Sequence, residues 1–380
     1  MHILITGGLG FIGRAISRKL LAAGGHTLTI VDPLTEQVHA PGETYPDITG
    51  NDSVTFMKAD ICARGVVEDA LKGVEAVIHL AAETGTGQSM YEIERYCETN
   101  VTGTAKLLEA MVKQPELRPK RLVLASSRSI YGEGAYVRAS EADKADAQRF
   151  YPGERKAADM DAGQFDFTHD GEALVPVSTH ETDPLSPRSI YASTKLSQEQ
   201  MCDIACASIG VGFTGLRLQN VYGPGQSLKN PYTGIMSIFT NILRQSGKID
   251  IFEDGEESRD FVYIDDVAEA FVRALDDTSS DSHIMNVGLG KRYSVSEMVA
   301  MLEAKLDRPD CSSVSGNYRA GDIRHNYADI TRMRETLGFV PQVDLPEGLS
   351  NTVDWALTQP IETDRSEAAR KEMSNFVKQK

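Results

Sequence analysis

The chain has 380 residues with 39 basic and 55 acidic side chains, a net charge of −16, and 41% of its residues are hydrophobic. This composition predicts a globular protein with a large core and excludes general disorder, and no apolar run reaches the ~18 residues needed to cross a bilayer. The acidic balance disfavours nucleic acid or an anionic membrane surface as the main partner. The opening residues lack the pattern of a secretion signal, and the five scattered cysteines favour free thiols, so a cytoplasmic location is expected.

The first 130 residues alternate short β-rich runs with helical stretches. Apolar runs predict strands at 2–6, 27–32, 54–60, 76–82 and 121–127. Helices are expected between them at 11–23, 65–72 and around 90–113. Strand, helix and strand in this rhythm predict an α/β fold with a Rossmann-type doubly wound parallel sheet.

The rhythm stops near residue 133. Residues 133–187 show no periodic segment and hold 12 acidic against 5 basic side chains, so we interpret them as a surface insertion. After it, a helix is predicted at 190–209 and strands at 213–218 and 283–287. The remaining, more irregular sequence is expected to form a smaller lobe.

A glycine-rich turn directly follows the first strand and opens the first helix. It places Gly7, Gly10 and Gly13 around Phe11 and Ile12, in the spacing G-x-x-G-x-x-G. Glycines permit a tight turn and a close approach of the backbone to a pyrophosphate at the helix N-terminus. Glycine clusters also occur in plain loops, but the strand before and the helix after this one favour dinucleotide binding.

Acidic residues at two strand ends would complete a dinucleotide site. Asp32 lies 19 residues after Gly13, where a carboxylate can bind the ribose hydroxyls and would repel a 2′-phosphate. NAD is therefore favoured over NADP as the cofactor. Asp60 and Ile61 follow the third strand and are either adenine contacts or a plain loop.

Tyr191 and Lys195 are four residues apart on a predicted helix and therefore share one face. An ammonium near the phenol would favour the phenolate and lower the tyrosine pKa, which would make Tyr191 a general base. Ser127, at the end of the fifth strand, could hydrogen-bond the substrate oxygen. The alternative for the Tyr–Lys pair is an ordinary exposed helix face, and for Ser127 a strand-end cap.

The sequence resembles the extended branch of the short-chain dehydrogenase/reductase superfamily, the NAD-dependent nucleotide-sugar epimerases and dehydratases. The resemblance covers about residues 1–132 and 188–345. It depends on the ordered occurrence of TGGLGFIG (6–13), Asp32, HLAA (79–82), Asn100, SSRSIYG (126–132), YASTK (191–195), RLQNVYGPG (217–225), SRDFVYIDDV (258–267) and RAGDIRH (319–325).

The resemblance implies roles for individual residues. Ser127, Tyr191 and Lys195 would be the catalytic residues. Cofactor contacts would include Tyr191 and Lys195 together with Gly7, Gly10, Phe11, Ile12, Gly13, Asp32, Asp60, Ile61, Leu80, Ala81, Ala82 and Asn100. Substrate contacts would come from Thr84, Gly85, Thr86, Ser127, Asn220, Phe252, Arg259 and Arg324. The two arginines would grip the nucleotide diphosphate, with a surface salt bridge as the alternative for each.

The implied domain organisation has two interleaved parts. An NAD-binding Rossmann domain spans 1–219, carries the insertion 133–187, and has its sheet completed by about 260–287. A smaller C-terminal α/β substrate-binding lobe comprises 220–259 and 288–360. Residues 361–380 would be a charged C-terminal tail.

The implied reaction is nucleotide-sugar 4-epimerisation. Dehydratases of this family need an acid and a base after the catalytic hydroxyl, whereas here Ser127 is followed by Arg128 and Ser129. C4 of an NDP-hexose would be oxidised to a 4-keto intermediate and re-reduced from the opposite face. Residues 81–93 and the long insertion are similar to dTDP-L-rhamnose 4-epimerases, which interconvert dTDP-L-rhamnose and dTDP-6-deoxy-L-talose.

Alternatives stay open at this point. The chain could be a UDP-glucose/galactose-type or other NDP-sugar epimerase, an NDP-4-keto-sugar reductase, or a non-catalytic NAD-binding module. No metal site is expected, because Cys202 and Cys206 have no further ligand nearby in sequence. The family often forms dimers through two helices, here 90–113 and 190–209, so a homodimer is expected. The insertion could be a lid over the sugar.

Overall fold

The computed structural model describes residues 1–40, 42–230, 232, 234–277, 281–319, 321–361, 371–372 and 376. The tail predicted at 361–380 therefore lies almost entirely outside the described residues, and so does Ala320 in the motif at 319–325. Within the described ranges, no helix is long and apolar enough to span a membrane.

The first 132 residues form the βα repeat predicted from the sequence. In chain order its elements are β1 (His2–Thr6), α1 (Phe11–Ala23), β2 (Thr27–Val31), α2 (Pro46–Thr49), β3 (Val54–Met57), α3 (Val66–Ala70), β4 (Ala76–His79), α4 (Ile93–Tyr96), α5 (Gly103–Lys113) and β5 (Arg121–Ser127). A π-helical turn joins α4 to α5, and short 3₁₀ turns occupy Gln88–Met90, Pro115–Leu117 and Arg128–Tyr131.

The insertion contains regular structure that the sequence did not predict. Its elements are β6 (Ala135–Arg138), α6 (Ala157–Asp161), β7 (Thr168–His169) and β8 (Glu172–Val177). Strand β8 pairs antiparallel with both β6 and β7. The sequence shows no periodic segment here, because β6 and β7, with four and two residues, are too short to show a hydrophobic period.

The rest of the chain completes the main sheet and builds the smaller lobe. Its elements are α7 (Ile190–Ile209), β9 (Gly212–Leu218), β10 (Asn220–Tyr222), α8 (Ile235–Arg244), β11 (Ile249–Ile251), β12 (Ser258–Arg259), β13 (Phe261–Tyr263), α9 (Ile264–Asp276), β14 (Ser282–Val287), β15 (Tyr293–Ser294), α10 (Val295–Lys305), β16 (Ser312–Val314), β17 (His325–Asn326), α11 (Thr331–Leu337) and α12 (Leu345–Leu357). The lobe strands form short two- and three-stranded sheets.

The main sheet has seven strands in the order β14-β9-β5-β4-β1-β2-β3, and every neighbouring pair is parallel. The chain runs outward from β1 through β2 to β3, then returns and runs outward the other way through β4 and β5. The direction of winding therefore reverses between β1 and β4, which is where open α/β sheets bind their ligands. The predicted Rossmann-type fold is confirmed.

Helices cover both faces of this sheet, so its strands are buried on both sides. Ile3 and Ile5 pack with Phe271 of α9 in one apolar cluster. Leu4, between them, points the other way into a second cluster with Leu107 of α5 and Phe213 of β9. This alternation explains why the strands appear in the sequence as continuous apolar runs.

Five charged side chains attach the insertion to the smaller lobe, and we call them the anchor cluster. Arg155 of the insertion binds both oxygens of Glu253, with N–O distances of 2.6 and 2.7 Å. Arg324 binds both oxygens of Asp254 at 2.6 and 2.8 Å, and it also binds Asp166 of the insertion at 2.8 Å. A further bond of 3.1 Å from Arg324 to Glu253 joins the two parts of the cluster.

Candidate active site

A cavity of about 870 Å³ opens at the carboxyl ends of β1, β2, β4 and β5. Its volume is within the range typical of cofactor sites. The structure brings to its wall nearly the whole predicted cofactor set, namely Gly7, Gly10, Phe11, Ile12, Gly13, Asp32, Asp60, Ile61, Leu80, Ala81, Ala82, Tyr191 and Lys195.

The glycine turn closes tightly between β1 and β4. Gly7 has φ +68°, and a Cβ on it would lie 2.9 Å from the backbone nitrogen of Ala81. A Cβ on Gly13 would lie 2.6 Å from the carbonyl oxygen of Gly7. Gly10 is the N-cap of α1, so no side chain caps the first-turn amides of this helix. An uncapped helix N-terminus in the cavity wall fits the pyrophosphate of a dinucleotide.

Asp32 is buried in the same wall, and loop amides fix its carboxylate. It accepts hydrogen bonds from the backbone nitrogens of Leu9 at 3.0 Å and Leu34 at 2.9 Å. His39 lies 3.5 Å from the carboxylate and also lines the cavity. The carboxylate is thus held at the end of β2, which is where a dinucleotide presents its ribose hydroxyls.

Tyr191 stands in the first turn of α7. The helix begins there because Ser189 caps it, with its Oγ accepting a hydrogen bond from the Ala192 nitrogen at 3.1 Å. Burial has the largest effect on the phenol and raises the pKa of Tyr191. A hydrogen bond with Ser127 and the charge of Arg128 oppose burial and lower this pKa. The arrangement provides a tyrosine poised to exchange a proton beside a serine hydroxyl.

Lys195 is bound to a neighbour other than Tyr191. Its Nζ donates a short hydrogen bond of 2.6 Å to Oε1 of Gln198, and Gln198 in turn donates to Thr104. Burial lowers the pKa of Lys195 to about 8. The sequence pattern gave Lys195 the task of lowering the tyrosine pKa, whereas in the structure the cation that does so is Arg128.

Asn100 sits behind the cofactor cavity, in the π-helical turn between α4 and α5. Its amide binds both the backbone nitrogen and the carbonyl of Glu83, at 2.7 and 3.1 Å, and donates to Thr194 at 2.9 Å. Asn100 therefore fixes the loop after β4 against α7, and it is not among the described residues that line the cavity.

A smaller cavity of about 260 Å³ adjoins the first one. Ser127, Tyr191 and Thr84 line both cavities, so the two meet at the proposed catalytic residues. Gly85, Thr86 and Asn220, which the sequence assigned to the substrate, also line the smaller cavity. The arrangement can hold a dinucleotide on one side of Tyr191 and a small polar ring on the other.

Arg324 does not have the position predicted for a diphosphate ligand. Its side chain is 1% exposed, and all three of its guanidinium nitrogens are bonded to carboxylates of the anchor cluster. In this structure these nitrogens bind carboxylates and Arg324 lines neither described cavity wall, which argues against its predicted role as a diphosphate ligand. The salt-bridge alternative is the one that the structure shows, although the cluster is buried.

Two further predicted substrate residues lie outside both cavity walls as far as the chain is described. Arg259 donates to the carbonyls of Ser258 and Arg324 at 3.0 Å each. The guanidinium of Arg319 lies over the ring of Phe252, with its central carbon 5.0 Å from the ring centroid.

Sequence reasoning missed Arg128, which lines the smaller cavity beside Ser127. In the sequence Arg128 directly follows the catalytic candidate Ser127. We considered it there only as evidence that the acid of a dehydratase is missing at this position. In the described part of the chain, no three His, Cys, Asp or Glu side chains are grouped as a metal site requires. No residue of 133–187 is found in the described walls of either cavity, so the structure does not place the insertion over the sugar.

Proteins of known family resemble this chain along most of its length. The profile of the NAD dependent epimerase/dehydratase family matches residues 3–156 and 169–288. A dTDP-L-rhamnose 4-epimerase of Burkholderia thailandensis is 39% identical over 355 residues, which is 93% of this chain and 94% of that protein.

Solved structures show the same fold. The UDP-glucose 4-epimerase of Thermotoga maritima, solved with UDP-glucose, has a TM-score of 0.74 and 29% identity, covering 94% of this chain and 99% of that one. The dTDP-glucose 4,6-dehydratase DesIV of Streptomyces venezuelae, solved with NAD bound, has a TM-score of 0.76 and 25% identity, with coverage of 94% and 97%.

Proposed function

Since this chain belongs to the NAD dependent epimerase/dehydratase family, we propose that it interconverts dTDP-L-rhamnose and dTDP-6-deoxy-L-talose as an NAD-dependent nucleotide-sugar 4-epimerase. The resemblance inferred from the sequence is confirmed, and with it the NAD cofactor and the isomerase class. The choice of sugar depends on one observation, the 39% identity with a dTDP-L-rhamnose 4-epimerase along almost the full length of both chains.

The residues at the meeting point of the two cavities fit this reaction. NAD held along the glycine turn and Asp32 would supply the acceptor for the C4 hydride and the donor for its return. The Oη of Tyr191 takes the proton of the sugar 4-hydroxyl and later gives it back, while the Oγ of Ser127 holds the same oxygen. Lys195 stays beside them in the cofactor cavity, bonded to Gln198.

The remaining site residues divide between the two ligands. NAD would lie along the glycine turn with its ribose at Asp32, and Asn100 would support the loop after β4. The sugar would occupy the smaller cavity between Thr84, Gly85, Thr86 and Asn220. We assign the diphosphate to Arg259 and the base to the neighbourhood of Phe252, with Arg324 left out.

A UDP-sugar is the second candidate substrate. The likeness to the UDP-glucose 4-epimerase of Thermotoga maritima favours it, because that structure covers 94% of this chain and was solved with UDP-glucose. Either substrate would react at the same catalytic residues of this chain, and the two substrates differ in their nucleoside and their sugar.

We also propose that the enzyme works in the cytoplasm as a homodimer. Large apolar side chains are exposed on the two helical segments expected at the interface, with Ile93 at 47%, Val112 at 41% and Ile204 at 70%. We take these side chains as part of the contact between subunits, since contiguous exposed apolar surface marks interaction sites.

The test is a panel of dTDP- and UDP-sugars incubated with purified enzyme without added cofactor and followed by NMR of the anomeric protons. We expect dTDP-L-rhamnose to convert to an equilibrium mixture with dTDP-6-deoxy-L-talose. Conversion of UDP-sugars alone would transfer the assignment to the second candidate. A need for stoichiometric NADH would identify a reductase, and NAD binding with no turnover would identify a binding module.

A further inference from the structure

Arg128 lies beside the reacting groups but has no part in the reaction proposed above. It follows Ser127 directly and begins the 3₁₀ turn Arg128–Tyr131. Its side chain lines the smaller cavity together with Ser127 and Tyr191. Arg128 therefore borders the space in which a ring could lie beside Ser127 and Tyr191.

One nitrogen of this guanidinium has a hydrogen-bond acceptor in the chain, and a second nitrogen has none. The Nε donates to Oδ1 of Asn220 at 3.0 Å, which orients the fork. The Nη1 is buried and has no hydrogen-bond partner among the residues that the structure describes. Arginine cannot lose its proton in a protein, so this donor stays charged, and an unmet buried donor carries a desolvation cost. An acceptor from outside the chain would remove that cost.

The charges around Arg128 do not provide this acceptor. Burial, followed by the nearby charge of Arg259, lowers the pKa of Arg128 to about 10. The carboxylates Asp322, Glu133 and Asp260 act on it electrostatically. Each of the three accepts hydrogen bonds from other donors, including backbone amides. The charge of Arg128 is thus balanced at a distance, and its buried Nη1 has no acceptor among the described residues.

We infer that Arg128 is a substrate-binding residue whose Nη1 donates to an oxygen of the sugar ring. This inference rests on the proposed function, because it requires a sugar in the smaller cavity. The sugar is favoured over the diphosphate since Arg128 shares this wall with Ser127 and Tyr191, the residues that act on the reacting carbon. The same charge also helps Tyr191 to hold a phenolate.

The first test separates sugar binding from diphosphate binding. Arg128→Met and Arg128→Lys are compared with wild type by calorimetric titration of dTDP alone and of dTDP-L-rhamnose. We expect Arg128→Met to weaken dTDP-L-rhamnose about 10- to 100-fold and to leave dTDP unchanged, because only the sugar loses a charged donor. The matched control is Arg138→Met, since Arg138 binds Glu172 and Asp170 on the insertion and is not among the described residues that line either cavity.

The second test is the pH profile of kcat/KM. Tyr191 must be a phenolate to accept the proton, so the rate rises with pH through its pKa. Loss of the Arg128 charge should raise that pKa and move the rising limb to higher pH in Arg128→Met. Arg128→Lys should move it less, and Arg138→Met should leave it in place. A residue with only a structural role would lower the rate at every pH without moving the limb.

Several outcomes would overturn the inference. If dTDP binding weakened as much as dTDP-L-rhamnose binding, Arg128 would be a diphosphate residue. If Arg128→Met bound dTDP-L-rhamnose with wild-type affinity and its pH limb did not move, Arg128 would have no role in binding the substrate. If Arg128→Met lost its bound NAD or its fold, the neutral variant Arg128→Gln would replace it in both tests, and wild-type affinity with an unmoved pH limb in Arg128→Gln would make the role structural. If wild type converted only UDP-sugars, the proposed substrate would fail, and the same comparison with UDP and that sugar would still decide the role of Arg128.

Discussion

Replacing Glu253 by glutamine should lower the free energy of unfolding by about 3–5 kcal/mol, the usual cost of removing one partner from a buried ion pair. In the Arg155–Glu253 pair the side chains are only 5% and 2% exposed. Glu253→Gln keeps the shape but leaves Arg155 without a carboxylate, and Arg324 loses one of its three. Unfolding entropy scales with chain length, so for a chain of 380 residues this corresponds to a fall in Tm of about 4–6 °C.

Differential scanning calorimetry would measure this change, with Glu109→Gln as the matched control. Glu109 pairs with Lys113 on the surface of α5, where the two side chains are 61% and 69% exposed. Such a pair contributes about 0.3–0.5 kcal/mol, so Tm should move by less than about 1 °C. Proteolysis within residues 133–187 should also become faster in Glu253→Gln only. Equal effects of the two substitutions would refute the claim that the anchor cluster holds the insertion.

Three further predictions follow from the site and the surface. Tyr191→Phe should abolish turnover while Tm and bound NAD stay at wild-type values, and near-normal activity would remove Tyr191 from its catalytic role. Burial, followed by the charge of Glu253, raises the pKa of Glu257 from 4.5 to about 7. The folded state then keeps a proton that the unfolded chain releases between these pH values, so stability falls as pH rises through that window. Glu257→Gln should remove this loss, raising stability by about 3 kcal/mol at pH 8 and by less than about 1 kcal/mol at pH 5; equal gains at both pH values would contradict the assignment. Ile204→Asp should halve the mass measured by light scattering, and an unchanged dimer would place the interface elsewhere.

Local patterns predicted the fold, and they predicted which cofactor candidates would lie together along one cavity. The glycine turn, Asp32, Ser127 and Tyr191 each lie at a strand end or a helix start, and the parallel sheet brings such positions to one edge. The structure has helix α7 at Ile190–Ile209, the range predicted. The hydrophobic period of the sequence locates the strands and helices, and a parallel sheet brings the ends of its strands together. The positions of these residues could therefore be predicted without knowledge of the tertiary structure.

The substrate side depended on contacts between distant parts of the chain. An arginine that binds phosphate and one that binds carboxylates look alike in sequence. Arg324 proved to be the second kind because Asp166 reaches it from 158 positions away. The proposed role of Arg128 could not be predicted from the sequence for a related reason. Only the fold shows that its Nη1 has no partner among the described residues. The strands of the insertion escaped prediction because β7 has only two residues and because Pro176 interrupts the strand pattern of β8.

The anchor cluster has a consequence for exchanging parts between related proteins. Arg155 and Asp166 belong to the insertion, while Glu253, Asp254 and Arg324 belong to the lobe. A related protein that received residues 133–187 alone would gain Arg155 without the carboxylate that pairs with it. This chain, if it lost residues 133–187, would keep Glu253 and Asp254 with only Arg324 to balance them. The insertion and this corner of the lobe must therefore be grafted together, although nearly a hundred positions separate them along the chain.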